Sequence, residues 1–252
     1  WGGTGADSLI GGDGNDAYYL DNAGDSVSET NANPASGGTD QVFSYLAAHT
    51  LGAHVENGRI LTAAAANLAG NGLANILEAG TGNNVLEGAG GSDTVSYLYG
   101  ASSGVTVSLA VAGAQATGGS SSDTLISIEN LSGSTYADTL TGDGSANRLE
   151  GANGNDTLGG GAGNDLLAGG LGNDSLTGGS GADIFRFDTL PDAASNRDTI
   201  GDFSVFDDTI ELENAVFSWL ATPGTLAAGS FRSGAGFTTA ADADDYLIYN
   251  SS

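Results

Sequence analysis

Lysine and cysteine are absent from this 252-residue chain, and proline occurs only three times. All five basic residues are arginines, too few and too scattered to form a patch that neutralises a phosphate backbone, so nucleic acid is excluded as a partner. The same scarcity disfavours an anionic membrane surface. Without cysteine there is neither a disulfide framework nor a thiolate metal site. No run approaches the ~18 consecutive apolar residues that span a bilayer, so no membrane insertion is expected. A helical bundle is excluded by the opposite problem, since 43 glycines are too many for helix interiors.

What the chain does have is glycine and aspartate. Its 31 acids, 23 of them Asp, leave a net charge of −26. Hydrophobic residues make up 39 %, and 8 Phe, 8 Tyr and 2 Trp argue against disorder. The composition describes an acidic all-β protein whose natural partner is a cation.

A period of nine organises three stretches of it. From Gly133 to Arg186 the chain divides into GSTYADTLT, GDGSANRLE, GANGNDTLG, GGAGNDLLA, GGLGNDSLT and GGSGADIFR. The sixth column reads Asp138, Asn147, Asp156, Asp165, Asp174, Asp183, and the eighth reads Leu140, Leu149, Leu158, Leu167, Leu176, Phe185. An N-terminal array, GGTGADSLI, GGDGNDAYY and LDNAGDSVS, places Asp7, Asp16 and Asp25 in the same column. A middle array, GNGLANILE, AGTGNNVLE and GAGGSDTVS, places Asn75, Asn84 and Asp93 there.

The residue types dictate the local structure. Repeated glycine permits positive φ and close backbone approach, so the first six residues are a tight loop. The next three form a short strand with one apolar side chain turned inward. Two repeats then close one coil of 18 residues, with i and i+18 side by side at ~4.8 Å spacing. A single repeat cannot bury its apolar residue, so only a stack is stable. Stacking lines up carboxylates beside loop carbonyls that no ladder satisfies. A hard cation accepting six or more oxygens in flexible geometry resolves both problems, and Ca²⁺ suits this better than Mg²⁺. Zn²⁺ would want His or Cys, which the arrays lack.

GGAGNDLLA, GGLGNDSLT and GGSGADIFR match the RTX consensus GGxGxDxUx, a calcium-binding β-helix repeat. The chain resembles the hemolysin-type calcium-binding proteins exported by type I secretion. The resemblance implies a parallel β-roll with several Ca²⁺ ions between adjacent loops, ligated by carbonyls of the first four loop positions and by the sixth-position Asp. Carried onto this chain, the N-terminal ligands are Gly2, Gly3, Thr4, Gly5 and Asp7, then Gly11, Gly12, Asp13, Gly14 and Asp16, with Asp25 pairing with Asp7 across one coil. In the main array they are Asp138; Gly142 and Gly144; Gly151, Asn153, Gly154 and Asp156; and Gly160, Gly161, Ala162, Gly163 and Asp165. They continue with Gly169, Gly170, Leu171, Gly172 and Asp174, and with Gly178, Gly179, Ser180, Gly181 and Asp183. The best sites are expected between loops 151–156 and 169–174, and between 160–165 and 178–183. Asn75, Asn84 and Asn147 lose the charge, so the middle array reads as structural, with Asp93 its one anionic ligand.

The expected organisation is an all-β solenoid with an N-terminal array (1–30), a connecting β segment (31–69), the degenerate middle array (70–96), a second connecting segment (97–132), the main β-roll (133–187) and a C-terminal β cap (188–252). VEN at 55–57 and IENLSGS at 128–134 resemble the connecting turns between repeat blocks. Asp198 and Asp202 are candidates for a further site where roll and cap meet. The cap is expected to be truncated, and the chain to be a fragment of a longer protein. No catalytic constellation stands out: GASSG at 100–104 mimics a nucleophile elbow, but both histidines precede it. His49 and His54 lack zincin spacing and read as surface or strand residues.

The reading is a non-catalytic, calcium-dependent folding region of a secreted bacterial protein, extracellular or at the cell surface. Its expected partners are calcium ions and the type I secretion machinery, with self-association or a cell-surface polysaccharide as further candidates. A structural or adhesive role is favoured. The alternative is a folding and secretion module of a secreted metalloprotease, lipase or polysaccharide epimerase.

Overall fold

The computed structural model describes residues 1–31, 37–192, 194–213 and 215–217, together with the strands Phe231–Gly234 and Leu247–Asn250. Among these residues there is no helix, and the strands wind into a two-faced solenoid. One face is a single parallel sheet of ten strands running from Ala17–Leu20 through Ile76–Glu78 and Arg148–Glu150 to Thr209–Leu212. The other face is interrupted, comprising a pair and two five-stranded sheets. The pair is Ser8–Ile10 with Ser26–Ser28.

The nine-residue period becomes an 18-residue coil because successive repeats alternate between faces. Leu140 pairs in register with Leu158 and then Leu176 on the broken face, while Leu131, Leu149, Leu167 and Phe185 align on the continuous one. All seven are fully buried, so the eighth column of the repeats is the core. Each short strand offers little area by itself. Burying a Leu side chain is worth about 1.5–3 kcal/mol, and it is stacking that buries it.

Coil length departs from 18 where the repeats degenerate. The backbone of Asp16 bonds to Asp40, 24 residues on, Asp40 to Glu56 after 16, and Asp183 to Asp208 after 25. Between Thr94–Ser96 and Asn130–Ser132 the chain spends two coil lengths. This stretch forms the strands Thr106–Ser108, Gln115–Gly118 and Ser121–Ile126. Ser121–Ile126 extends the sheet of Asn84–Glu87, whereas Thr106–Ser108 begins the sheet of the main roll. The insertion therefore splits the broken face without interrupting the continuous one.

Past Asp188 the solenoid continues for another coil. Thr199–Ile200 and Thr209–Leu212 add one strand to each face. Residues 218–230, 235–246 and 251–252 of the expected cap lie outside the described residues; Phe231–Gly234 and Leu247–Asn250 pair with each other in parallel. His49 aligns with Leu68 and is half-buried, with its Nε2 buried and without a hydrogen-bond partner.

Candidate metal centre

Each sixth-column residue stands at the head of a strand, and in all but Asp25, whose N–H bonds to the Asn22 carbonyl, its position is fixed by one recurring hydrogen bond. Its backbone N–H donates to a side-chain oxygen of the acid one coil on. On one edge Asp138 donates to Asp156 Oδ1 at 2.7 Å, Asp156 to Asp174 at 2.8 Å and Asp174 to Asp198 at 3.1 Å. On the other, Asn147 donates to Asp165 at 2.8 Å, Asp165 to Asp183 at 2.9 Å and Asp183 to Asp208 at 3.0 Å. The N-terminal array repeats the bond, from Asp7 to Asp25 at 3.0 Å and from Asp16 to Asp40 at 2.8 Å.

This bond occupies only one carboxylate oxygen. The other, Oδ2, is buried without any hydrogen-bond partner in Asp7, Asp93, Asp156, Asp165, Asp174 and Asp183. An orphaned, dehydrated carboxylate oxygen is costly, and six of the same kind call for a shared explanation. Burial raises the Asp156 carboxyl to about 8, an increase limited by the Asp138 N–H and reinforced by neighbouring aspartates. Asp198 is raised to about 7, again chiefly by burial. Burial also raises Asp165, Asp174 and Asp183.

The glycine that opens each loop shows where the free oxygens point. A Cβ placed on Gly151 would come closer than 3.0 Å to both Asp156 Oδ2 and the carbonyl oxygen of Gly169. On Gly160 it would meet Asp165 Oδ2 and the Gly178 carbonyl in the same way. A carboxylate oxygen and a carbonyl oxygen from the next coil thus converge where no methyl group fits. The loops also abut through backbone. Gly170 and Gly172 hold φ of +94° and +140°, and a side chain on either would strike a carbonyl of the coil before. Donors of this kind, all oxygen and part carboxylate, suit Ca²⁺.

Other expected ligand positions differ. Asp138 Oδ2 accepts from the Ser134 N–H at 2.6 Å, and the Ser134 hydroxyl adds a second bond, so this carboxylate is already served. Asp25 Oδ2 accepts the N–H groups of Asp21 and Asn22, and the residue is half-buried. Asp13 Oδ1 accepts from Asn31 Nδ2. Around Gly3, Gly5, Gly12, Gly14 and Gly144 there is open space for a Cβ, in contrast to Gly170 and Gly172. Asp16 lies in an acidic trio with Glu29 and Asp40, their oxygens within 4.8 Å of one another, and the Tyr18 hydroxyl donates to Glu29 Oε2 at 2.6 Å. Burial raises Asp40 to about 6, and the charge of Glu29 adds to it. Asp202 accepts the N–H groups of Gly178 and Gly179, capping a repeat loop.

The amide positions show the counterpart. Asn75 Nδ2 donates to the carbonyls of Val55 and Glu56 at 3.2 and 3.0 Å, and Asn147 Nδ2 to the Glu129 carbonyl at 2.8 Å. Their Oδ1 atoms accept N–H groups of their own loops, from Asn71 and Asp143. Here an NH₂ group meets carbonyl oxygen with no cation required.

The nonapeptide ruler missed Asp40, Glu56, Glu129 and Asp208, which continue the column through the connecting segments. Glu56 and Glu129 accept from Asp40 and Asp93 exactly as the repeat aspartates do, at 2.8 and 2.9 Å. The available signal was an acid directly before a strand, in VEN and IEN, but variable coil length hid it.

The model for the family described as Peptidase M10 serralysin C terminal matches residues 88–221, more than half of the chain. The chain belongs to the serralysin C-terminal family. The model for the RTX calcium-binding nonapeptide repeat, in four copies, matches residues 1–27 and 69–97. A serralysin C-terminal region with RTX repeats is a calcium-binding module of a secreted protein, and no helix among the described residues is long and apolar enough to cross a membrane. Among solved structures, the solution structure of a subunit of the mannuronan C5-epimerase from Azotobacter vinelandii is 41 % identical over 30 % of this chain and 44 % of that one, with a TM-score of 0.28. This chain therefore spans less than half of that one. Among curated proteins no sequence matches.

Proposed function

We propose that this region is a non-catalytic folding module, expanded when calcium is scarce and wound into a solenoid when calcium is plentiful. The observation that carries the reading is the set of buried, unpartnered Oδ2 atoms on Asp156, Asp165, Asp174 and Asp183. Without cations these carboxylates must either take up protons or lose their burial. The ions sit between loops 151–156 and 169–174 and between 160–165 and 178–183, with a further site at Asp7. Extracellular modules bind calcium at roughly 10⁻⁴–10⁻³ M, so the millimolar calcium outside a cell fills them while the cytosol does not. Each ion bound to the folded state alone adds RT ln(1 + [L]/Kd), and linked sites steepen the transition. The net charge of −26 keeps the ion-free chain extended for export through a type I apparatus.

For the parent protein, a structural or adhesive surface role and a secreted enzyme remain the two readings. The match to a peptidase C-terminal family favours the second, with this region as the folding and secretion module of an enzyme. A circular-dichroism titration with Ca²⁺, starting in EDTA and with Mg²⁺ as control, tests the folding switch. We expect a steep, calcium-specific gain of β-structure near millimolar. Full β-structure in EDTA would reduce calcium to an accessory of a core that folds alone.

A further inference from the structure

Loop 88–93 has the geometry of a repeat loop, but its neighbour one coil on is not a repeat. Asp93 is 1 % exposed; its Oδ1 accepts the Asn75 N–H at 2.7 Å, and its Oδ2 is buried with no partner. A Cβ on Gly88 would come closer than 3.0 Å to both Asp93 Oδ2 and the carbonyl oxygen of Ser127. At Gly151 the same test finds Asp156 Oδ2 and the Gly169 carbonyl, so Ser127 stands where a repeat places its opening glycine. Ser127 holds φ at +50°, a left-handed conformation that costs a non-glycine residue free energy and persists where its surroundings impose it. Glu129 then takes the place of the next aspartate, accepting the Asp93 N–H at 2.9 Å.

We infer that loop 88–93 and the turn Ser127–Glu129 form a hybrid calcium site, with Asp93 Oδ2, the Ser127 carbonyl and the Glu129 carboxylate as ligands. All three are oxygens and two carry charge, the donor set of a hard divalent cation. The neighbouring coils sharpen the assignment. Asn75 and Asn147 supply an NH₂ group at this level of the column, and Asp138 is served by a serine hydroxyl, but Asp93 has neither. The ion would fasten the returning end of the 97–128 insertion to the middle array and so close the solenoid across its one long excursion. This inference rests on the calcium reading above but assigns a site whose second half lies outside the repeats.

Equilibrium dialysis of the full chain against CaCl₂, counting bound ions at saturation, tests it with Glu129→Gln and Asp93→Asn. Glu129→Gln keeps an oxygen to accept the Asp93 N–H, and Asp93→Asn installs the amide already used at Asn75 and Asn147, so both variants should fold. Each should bind one ion fewer than the wild type, and the double variant should lose no more than that same ion. An unchanged count in either variant, or two ions lost in the double, overturns the hybrid site while leaving the other sites standing. A wild-type chain that binds no calcium overturns the calcium reading as a whole, and this site with it.

Discussion

The main roll and the middle array share one register and one kind of core, yet they solve the problem of the loop carbonyls differently. Leu158 and Leu176 in the roll are as fully buried as Leu77 and Leu86 in the middle. In the roll, carboxylate oxygens are buried with nothing to receive. In the middle, Asn75 carries its own donors and spends them on Val55 and Glu56. The exchange of an oxygen for an NH₂ group converts a position that requires a cation into one that is complete without it. Two stretches of the same solenoid should therefore differ in what they need to fold.

Calcium removal is the largest test of that difference. Hydrogen exchange in EDTA should show the strands of 133–187 losing protection while those of 57–87 keep much of theirs; simultaneous loss in both would break the comparison and make the solenoid one cooperative unit. Next in size is a pair of substitutions. Asp165→Ala removes an unpartnered oxygen together with the acceptor of the Asn147 N–H, and should raise the calcium midpoint of folding several-fold. Asn84→Ala removes one bond, accepted from the Gly80 N–H, and should cost about 1 kcal/mol without moving the calcium midpoint. Equal shifts in the two titrations would mean that the column does not distinguish acid from amide.

A conversion sharpens the contrast further. Asn147→Asp deletes the bond to the Glu129 carbonyl and adds a carboxylate beside loop 160–165. Urea unfolding should find this variant less stable than the wild type by about 2 kcal/mol in EDTA, with most of that recovered in saturating calcium. A deficit that calcium leaves untouched would show that the asparagine serves packing alone.

The coil, the core column and the aspartate column were legible because each rests on a fixed spacing: Leu140, Leu158 and Leu176 could be aligned by counting. The connecting segments were not, because Asp40, Glu56 and Glu129 follow at intervals of 24, 16 and 36 residues. Hydrogen bonding between coils needs only that an acid precede a strand; it is indifferent to how much chain lies between. Nor could the sequence disclose that Ser134 satisfies Asp138, since this depends on a hydroxyl reaching across its own loop. Asparagine in the aspartate column loses the charge, and in Asn75 and Asn147 it supplies an NH₂ donor in its place.

The most local test concerns an acid of the middle stretch that hydrogen bonds already serve. Asp123 is fully buried; its Oδ1 accepts the Asn84 N–H at 2.8 Å, and the Thr117 hydroxyl lies 3.4 Å from its Oδ2. Burial raises its carboxyl to about 6, partly offset by those hydrogen bonds, and its charge in turn helps to raise the buried Tyr97 hydroxyl. Because the folded value lies above the unfolded 3.8, the stability gained from its protonation is complete below that value and is lost as pH rises through about 6. Asp123→Asn cannot ionise and keeps the acceptor for Asn84. In saturating calcium, where the shared columns titrate alike in both proteins, the variant should match the wild type near pH 4 and exceed it by about 2–3 kcal/mol at pH 8. A pH-independent difference would mean that Asp123 stays charged in the fold. The middle of the solenoid would then hold a second anion, besides Asp93, for which amides and hydroxyls alone do not account.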